Sequence, residues 1–207
     1  MGNSSSTDQH LHLLGTPLTT PPTAAVATSK SFCSSSPVTL YLRENFWQPQ
    51  GNEFYIKDAN TGHVHFMSRG IAAALRDANN VPIAYIKKET RTFFKVYADA
   101  AHEKLVANIR PKYTWRSQEL DVRFFNIATG KWCHVGIAGD YDTHHAVIWL
   151  DTGDGVVGIA RIRSPPSARG FGNKDYFLEI APNVDMALIV VICMAIDEGH
   201  IRDDYLV

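Results

Sequence analysis

The first six residues carry the clearest chemical motif of this chain. Met1-Gly2-Asn3-Ser4-Ser5-Ser6 matches the N-myristoylation pattern, which requires Gly at position 2 and Ser or Thr at position 6. Removal of the initiator Met exposes the amine of Gly2. The small residues after Gly2 fit the narrow groove of an acyltransferase. One myristoyl chain binds membranes weakly, so the motif predicts reversible association with the cytoplasmic face of membranes. Cys33 is a second candidate acceptor, for a palmitoyl group, although it lies far from Gly2.

Five basic residues form two candidate contact sites for anionic lipid headgroups. Lys87, Lys88 and Arg91 cluster at the predicted end of a hairpin, and Arg161 and Arg163 share one face of a predicted strand. Phosphate recognition requires a few converging cations and does not require a high net charge. The alternative interpretation is a solvated, charged rim, since lysine and arginine are mostly exposed in proteins.

Other residue patterns give no catalytic, metal or cofactor site. His63 and His65 point to one face of a strand, but no nearby ligand completes a metal set, so we expect surface histidines. The stretch Asp151 to Gly155 lacks the frame of a calcium-binding EF-hand and predicts a hairpin turn. The sequence contains no nucleophile elbow and no zinc signature. We therefore expect a protein that is not an enzyme and that needs no cofactor.

Composition restricts the class of protein further. The chain has 207 residues and a formal net charge of -1, which argues against nucleic-acid binding through bulk positive charge. Its three cysteines are too few and too scattered for a disulfide framework and fit a reducing, intracellular compartment. The first residues lack the basic and apolar regions of a secretory signal. Together these features predict a cytoplasmic protein.

The last apolar run, from Val184 to Ile196, is the strongest signal for the fold. It is apolar all round, so a helix formed by it must be enclosed by protein on every side. It is shorter than the ~20 residues that cross a bilayer. Pro182 is predicted in the first turn of this helix, with Asn183 as its cap. Eleven strand candidates between Glu53 and Ile180, joined by Gly- and Asn-containing turns, predict a sheet wrapped around the helix.

The chain divides near Pro37. Residues 1–37 are rich in Ser, Thr and Pro and nearly uncharged, which predicts a disordered tail that is dispensable for folding. Residues 38–207 are predicted to form one domain.

Three stretches of the sequence resemble the LURP-one-related family, a branch of the tubby C-terminal-like superfamily that also includes phospholipid scramblases. They are Phe54 to Gly62, Leu75-Arg76-Asp77 with Pro82-Ile83, and Tyr176 to Asp185. The resemblance covers about residues 38–200. It implies a closed antiparallel barrel of about twelve strands around a hydrophobic C-terminal helix. Because tubby domains bind phosphoinositide headgroups, it also implies phosphoinositide binding by analogy.

Two classes of function remain open at this level. The first is a non-enzymatic module, reversibly associated with membranes, that binds anionic lipid headgroups or a partner protein in signalling. The second is a soluble scaffold or defence-related protein with no lipid role. Lipid scrambling follows from the kinship alone, and the chain lacks the Cys-rich palmitoylated segment that is usual in scramblases.

Overall fold

Twelve antiparallel strands close into a barrel around one helix. The computed structural model describes residues 10–43, 53–69, 74–90, 92–114, 117–141, 143–164 and 175–200. The order of strands around the ring is β1-β12-β11-β10-β9-β8-β7-β6-β5-β4-β3-β2. Their bounds are β1 Val38–Arg43, β2 Glu53–Asp58, β3 Val64–Arg69, β4 Ala74–Asp77, β5 Pro82–Thr90, β6 Phe93–Tyr97, β7 Leu105–Thr114, β8 Ser117–Asn126, β9 Lys131–Asp140, β10 His145–Asp151, β11 Val156–Arg163 and β12 Asp175–Ile180.

The helix α1 (Met186–His200) supplies the centre of the core. Every side chain from Met186 to Ile196 is buried, as the uniformly apolar run predicts. Alternate residues of each strand point inward onto this helix, including the fully buried Leu40, Phe66 and Phe124. The predicted fold, a closed barrel around a central helix, is confirmed. In the part of the chain that the structure describes, no helix is long and apolar enough to cross a membrane.

Strand β1 is not among the eleven strands that the sequence predicts. It pairs with β12 over six residues, from Val38 opposite Ile180 to Arg43 opposite Asp175, and with β2 at Leu40 and Tyr41. The pairing of the first strand with the last closes the ring. The β1 strand has no hairpin partner before it in the sequence, so the signal that identified the other strands was absent.

Asp185 caps the helix and differs from the predicted cap. Its carboxylate accepts hydrogen bonds from the backbone N–H groups of Ala187 (3.0 Å) and Leu188 (3.3 Å). Asn183 instead adopts a left-handed conformation with φ of 60°, before the helix begins. The prediction of Asn183 as cap is therefore wrong by two residues, because a turn separates β12 from the helix.

The same carboxylate holds the N-terminal segment. Asp185 also accepts hydrogen bonds from the backbone N–H groups of Ala27 (3.0 Å) and Thr28 (2.7 Å), and from the Thr28 hydroxyl (2.9 Å). Val26, whose C=O accepts a bond from Ile127 N–H (2.9 Å), is fully buried, as is Ala25. The prediction of a disordered tail therefore does not hold for residues 10–37, and residues 1–9 lie outside the described residues.

The start of this segment covers one side of the barrel. Residues Leu11–Gly15 form a 3₁₀ helix on β9 and β10, and Thr19 N–H donates to Gly158 C=O on β11 (2.8 Å). The ring of His10 lies 4.8 Å from that of Trp149 on β10. We call the outer surface of β10, β11 and the second half of β9 the covered wall. Composition alone suggested disorder because the segment has few apolar residues, but backbone hydrogen bonds hold it to the barrel.

At the other end of α1, a buried polar cluster joins the helix to two strands. The Tyr176 hydroxyl lies 3.1 Å from the Tyr141 hydroxyl and donates to the Asp197 carboxylate (3.3 Å), to which Tyr141 also donates. Burial, with the nearby charge of Asp197, raises the pKa of both tyrosines well above the ordinary value. Both hydroxyls therefore stay protonated as donors that fix the helix against β12 and the loop after β9.

Candidate functional site

A row of nitrogen-bearing side chains crosses five neighbouring strands on the outside of the barrel. The strand register places Lys87 opposite Lys95, Lys95 opposite Asn108, Asn108 opposite Arg123, and Arg123 opposite His134. Directly opposite residues share one face of an antiparallel sheet. The residues that precede or follow them along each strand point inward and are buried: Ile86, Val96, Ala107, Val122 and Val135. We call these five outward residues the basic row; Lys87, Lys95 and Arg123 are its cations. We call the outer surface of β5–β8, together with the first half of β9, the open wall.

Two carboxylates offset part of the charge of this row. The carboxylate of Glu89 lies 3.3 Å from Lys87 Nζ and 3.7 Å from Lys95 Nζ, and the hydrogen bond from Lys87 is the main cause that lowers its pKa. Like charges directly opposite on neighbouring strands are destabilising, so Glu89 explains how two facing lysines are tolerated. Asp121 lies 3.7 Å from Arg123 Nε.

Cations on the open wall also pack on an aromatic ring. Arg110 Cζ lies 4.5 Å from the centroid of the Phe93 ring, and Lys95 Nζ lies 5.7 Å from it. Cation–π contact holds such charges on the surface without neutralising them. Among the described side chains of the open wall, the outward Lys and Arg residues exceed the carboxylates by four to two: Lys87, Lys95, Arg110 and Arg123 against Glu89 and Asp121.

The three cations predicted at the end of β5 do not all belong to this surface. Lys87 lies in the basic row, but Lys88 is on the other side of the strand. Its ammonium lies 5.3 Å from the centroid of the ring of buried Phe94. Arg91 lies outside the described residues. Strand alternation therefore separates two lysines that are neighbours in sequence.

Arg161 and Arg163, the second predicted pair, lie on the covered wall. They share Glu179, at 3.7 Å from Arg161 Nη1 and 3.4 Å from Arg163 Nε. Arg161 also donates to the backbone C=O groups of Leu13 and Thr16, and its side chain is 11% exposed. Strands β5 and β11 are six positions apart in the ring of twelve, so Lys87 lies on the wall opposite to Arg161 and Arg163. Cations on opposite walls cannot contact the same lipid headgroup, so these residues do not form one binding site.

The structure describes one of the two candidate acylation sites. Gly2 lies outside the described residues. Cys33 is partly buried at the end of the barrel where the helix begins, where it forms an isolated β-bridge with Asp185. Burial, and secondarily the charge of Asp185, raises the pKa of the Cys33 thiol to about 11. Since the thiolate is the nucleophile, these surroundings disfavour acylation of Cys33.

A family model described as LURP-one-related matches residues 38–197, which is more than half of the chain. The chain belongs to the LURP-one-related family. No curated protein and no solved structure matches it significantly. The matched region begins with the first residue of β1, so the LURP-one-related domain coincides with the barrel and most of its helix. Residues 10–37, which cover one wall, precede this domain.

The β8–β9 hairpin of this LURP-one-related domain ends in an apolar surface that the sequence analysis did not predict. Trp132 is 51% exposed and Ile127 is 52% exposed. Phe125 lies opposite Trp132, with the two rings 5.8 Å apart in edge-to-face contact. We call Phe125, Ile127 and Trp132 the aromatic tip. The alternating pattern of β8 and β9 could have shown that Phe125 and Trp132 face outward, because Phe124 and Val122 occupy the inward positions.

The two histidines considered as metal ligands lie on the edge of the β2–β3 hairpin. The rings of His63 and His65 are 5.1 Å apart, and His65 Nε2 lies 4.0 Å from the Asp58 carboxylate, a neighbour that the sequence did not suggest. Asp58 is already the acceptor for the backbone N–H groups of Asn60 and Thr61. Within the described ranges, no group of three potential metal ligands is present.

Proposed function

We propose that this LURP-one-related protein is a non-enzymatic module that associates reversibly with anionic membrane surfaces in the cytoplasm. Two signals act together in this proposal. A myristoyl chain on Gly2 gives a weak anchor, and the cations of the open wall bind anionic phospholipid headgroups. The observation that carries the proposal is the basic row, which aligns donors on five strands over one continuous outer surface.

The energies of the two signals are complementary. One myristoyl chain contributes a membrane binding constant of about 10⁴ M⁻¹, which is marginal by itself. Each Lys or Arg near an anionic leaflet contributes about 1 kcal/mol, which is roughly a fivefold change in binding. The excess of two cations among the described side chains of this wall is enough to make binding depend on anionic lipid but too small to make it permanent. The combination supports exchange between cytosol and membrane.

The open wall suits this role better than the covered wall. Arg123 is 64% exposed, whereas Arg161 is 11% exposed and is bonded to the N-terminal segment and to Glu179. A guanidinium that already donates to two carbonyl groups would have to break those bonds before it met a phosphate. The cations of the open wall are held by ion pairs and by a ring contact that leave them at the surface.

Vesicle flotation of the full chain tests the proposal. Acylated and non-acylated protein are mixed with phosphatidylcholine vesicles that contain either no anionic lipid, phosphatidylserine or a phosphoinositide. We expect binding of both forms to anionic vesicles, stronger for the acylated form and weakened by salt because exposed charges are screened. Wild-type protein from cells with an active acyltransferase should bind vesicles more strongly than wild-type protein from cells without one. Gly2→Ala should abolish this difference in vesicle binding.

Absence of binding to every anionic vesicle by both forms overturns the proposal. In that case the soluble-scaffold alternative stands, with the open wall as a surface for a partner protein. An intact mass that shows an unmodified N-terminus, from cells with an active acyltransferase, would remove the acyl anchor and leave the open wall as the sole membrane signal.

A further inference from the structure

The aromatic tip is an apolar surface beside the basic row. Phe125 is two residues from Arg123 along β8, and Trp132 is two residues from His134 along β9, so all four side chains share the outer face. The rings of Phe125 and Trp132 support each other, and Ile127 continues the apolar surface around the turn. About half of the Trp132 surface is exposed beside the exposed side chain of Arg123. Aromatic residues and arginine are both enriched in binding interfaces.

The N-terminal segment holds the aromatic tip in place. Asn126, inside the turn, donates through Nδ2 to Ala24 C=O (2.9 Å), and its Oδ1 accepts from Val26 N–H (3.3 Å). Ile127 N–H donates to Val26 C=O (2.9 Å). The tip is therefore a preorganised surface, braced from below by backbone that is itself bonded to Asp185 of the central helix.

The same segment places the start of the described chain near the tip. The His10 ring packs on Trp149, and Trp149 packs on His134, whose ring lies 5.2 Å from it. His134 is the outward neighbour of Trp132 on β9. Gly2 is eight residues before His10, and eight residues span at most about 28 Å when extended. An acyl chain on Gly2 can therefore reach a membrane that the aromatic tip touches.

We infer that the aromatic tip of Phe125, Ile127 and Trp132 enters the interfacial region of an anionic bilayer, with the basic row beside it. This inference rests on the proposed membrane association and adds an orientation to it. Tryptophan is enriched at the headgroup level of membranes, because its ring is apolar and its N–H is polar. The adjacent cations select an anionic leaflet over a neutral one.

The orientation makes a graded prediction across the basic row. Arg123 is next to the tip on β8, Lys95 is two strands further on β6, and Lys87 is on β5. If the tip touches the bilayer first, charge reversal should weaken vesicle binding most at Arg123, less at Lys95 and least at Lys87. Equal effects at the three positions would instead describe a flat contact centred on β6 and β7, and would overturn the inferred orientation.

The decisive experiment compares matched aromatic substitutions on opposite walls. Tyr55 is 46% exposed on β2, which is six strands from β8 in the ring. Trp132→Ala and Tyr55→Ala are tested as full chains against phosphatidylcholine vesicles with phosphatidylserine, together with melting temperatures to establish folding. We expect Trp132→Ala to lower the partition coefficient by about five- to tenfold. Tyr55→Ala should leave it unchanged.

Intrinsic fluorescence gives an independent reading of the same contact. On binding, the wild-type emission should shift to the blue and be quenched by brominated lipids, and both effects should disappear in Trp132→Phe. Sedimentation in the absence of vesicles identifies a different occupant, because a dimer that Trp132→Ala dissociates would make the tip an interface between copies. That result overturns the inference.

The failures of the two proposals are distinguishable. If the wild type binds anionic vesicles in a salt-dependent way but Trp132→Ala binds as tightly as Tyr55→Ala, the orientation is wrong and the membrane proposal stands. If the wild type binds no vesicle in either acylation state, both are wrong.

Discussion

Arg161 and Arg123 point outward from the same barrel and have opposite surroundings. Arg161, on the covered wall, lies beneath the N-terminal segment and donates to Leu13 and Thr16 carbonyl groups. Arg123, on the open wall, is mostly exposed and lies 3.7 Å from the carboxylate of Asp121. Both residues satisfy the sequence pattern of a surface cation on a strand. What separates them is a segment more than a hundred residues away in the sequence.

The comparison shows that an outward position on a strand does not establish an accessible one. The guanidinium of Arg161 supplies hydrogen bonds that hold the chain to its own barrel, which is a structural role. The cations of the open wall are held by Glu89, Asp121 and the ring of Phe93, all of which leave them at the surface. The proposed binding role therefore fits the open wall and does not fit the covered wall.

The largest expected effect comes from breaking the core on which both walls rest. Val190 is fully buried in α1. We expect Val190→Lys to prevent folding or to cost several kcal/mol, because it buries an ion without a partner. Ile189→Ala, a cavity without a charge, should cost about 2–5 kcal/mol. Thermal melts followed by circular dichroism measure both, and a wild-type melt for Val190→Lys would contradict an enclosed helix.

The next largest effect concerns the contribution of the N-terminal segment to the stability of the barrel. Deletion of residues 2–37 removes three of the donors to the buried Asp185 carboxylate, those of Ala27 and Thr28. We expect a loss of about 3–5 kcal/mol, since the buried carboxylate loses these three donors and keeps its two donors on the helix, Ala187 and Leu188. Deletion of residues 2–9 is the matched control and should leave the denaturant midpoint unchanged. An equal midpoint for the two deletions would support the original prediction of a dispensable tail.

Much of the barrel could be predicted from the sequence because its signals are local. The hairpins from β2 to β11 have turn residues between alternating strands, and the helix is a continuous apolar run. Strand β1 and the ordered structure of residues 10–37 could not be predicted, because the residues that pair with them lie far away in the sequence. The bonds of Thr28 with Asp185, for example, depend on a carboxylate 157 positions later.

The candidate site was predictable for Lys87 alone, and the reason is register. The sequence shows that Lys87 and Lys88 are adjacent, but the alignment of Lys87 with Lys95 and Arg123 requires knowledge of which residues are opposite. The aromatic tip needed the same information, since Phe125 and Trp132 become neighbours only when the β8–β9 turn is in the observed register.

Matched arginine substitutions sharpen the comparison of the walls directly. Arg161→Ala should cost about 1.5–3 kcal/mol, because hydrogen bonds from a charged donor to two carbonyl groups are lost in a partly buried site. Arg123→Ala should change stability by less than about 0.5 kcal/mol, as is typical of exposed positions. Urea unfolding with a shared slope measures both, and equal losses would remove the distinction between the walls.

A smaller effect is expected in the pH dependence of stability at Asp185, which holds the N-terminal segment to the start of the helix. Burial raises the pKa of the Asp185 carboxyl, so the folded chain binds its proton more tightly than the unfolded chain. The contribution of Asp185 protonation to the free energy of unfolding is therefore fully present below the unfolded pKa of about 3.9. It is lost as the pH rises through the folded pKa. The wild type should gain stability relative to Asp185→Asn as the pH falls through this range.

An exposed turn supplies the control of opposite sign. The backbone N–H of Thr61, the largest cause, lowers the pKa of Asp58. Its contribution is present above the unfolded pKa and is lost as the pH falls through the folded pKa. Relative to Asp58→Asn, the wild type should therefore lose stability on acidification. Unfolding free energies measured at several acidic pH values for both pairs should diverge, and parallel slopes would contradict the burial of Asp185.

The smallest expected effect compares two neighbouring residues on the two sides of one strand. Lys87 faces out in the basic row, whereas Lys88 lies over the ring of buried Phe94. Lys87→Gln should weaken binding to phosphatidylserine vesicles by up to about fivefold, the share of one surface cation, and high salt should reduce the difference from the wild type. Lys88→Gln removes the same charge from the same strand and should leave vesicle binding unchanged. Because the two variants have equal net charge, a loss of binding that is equal in both would show that the membrane responds to total charge, and the open wall would then have no special role.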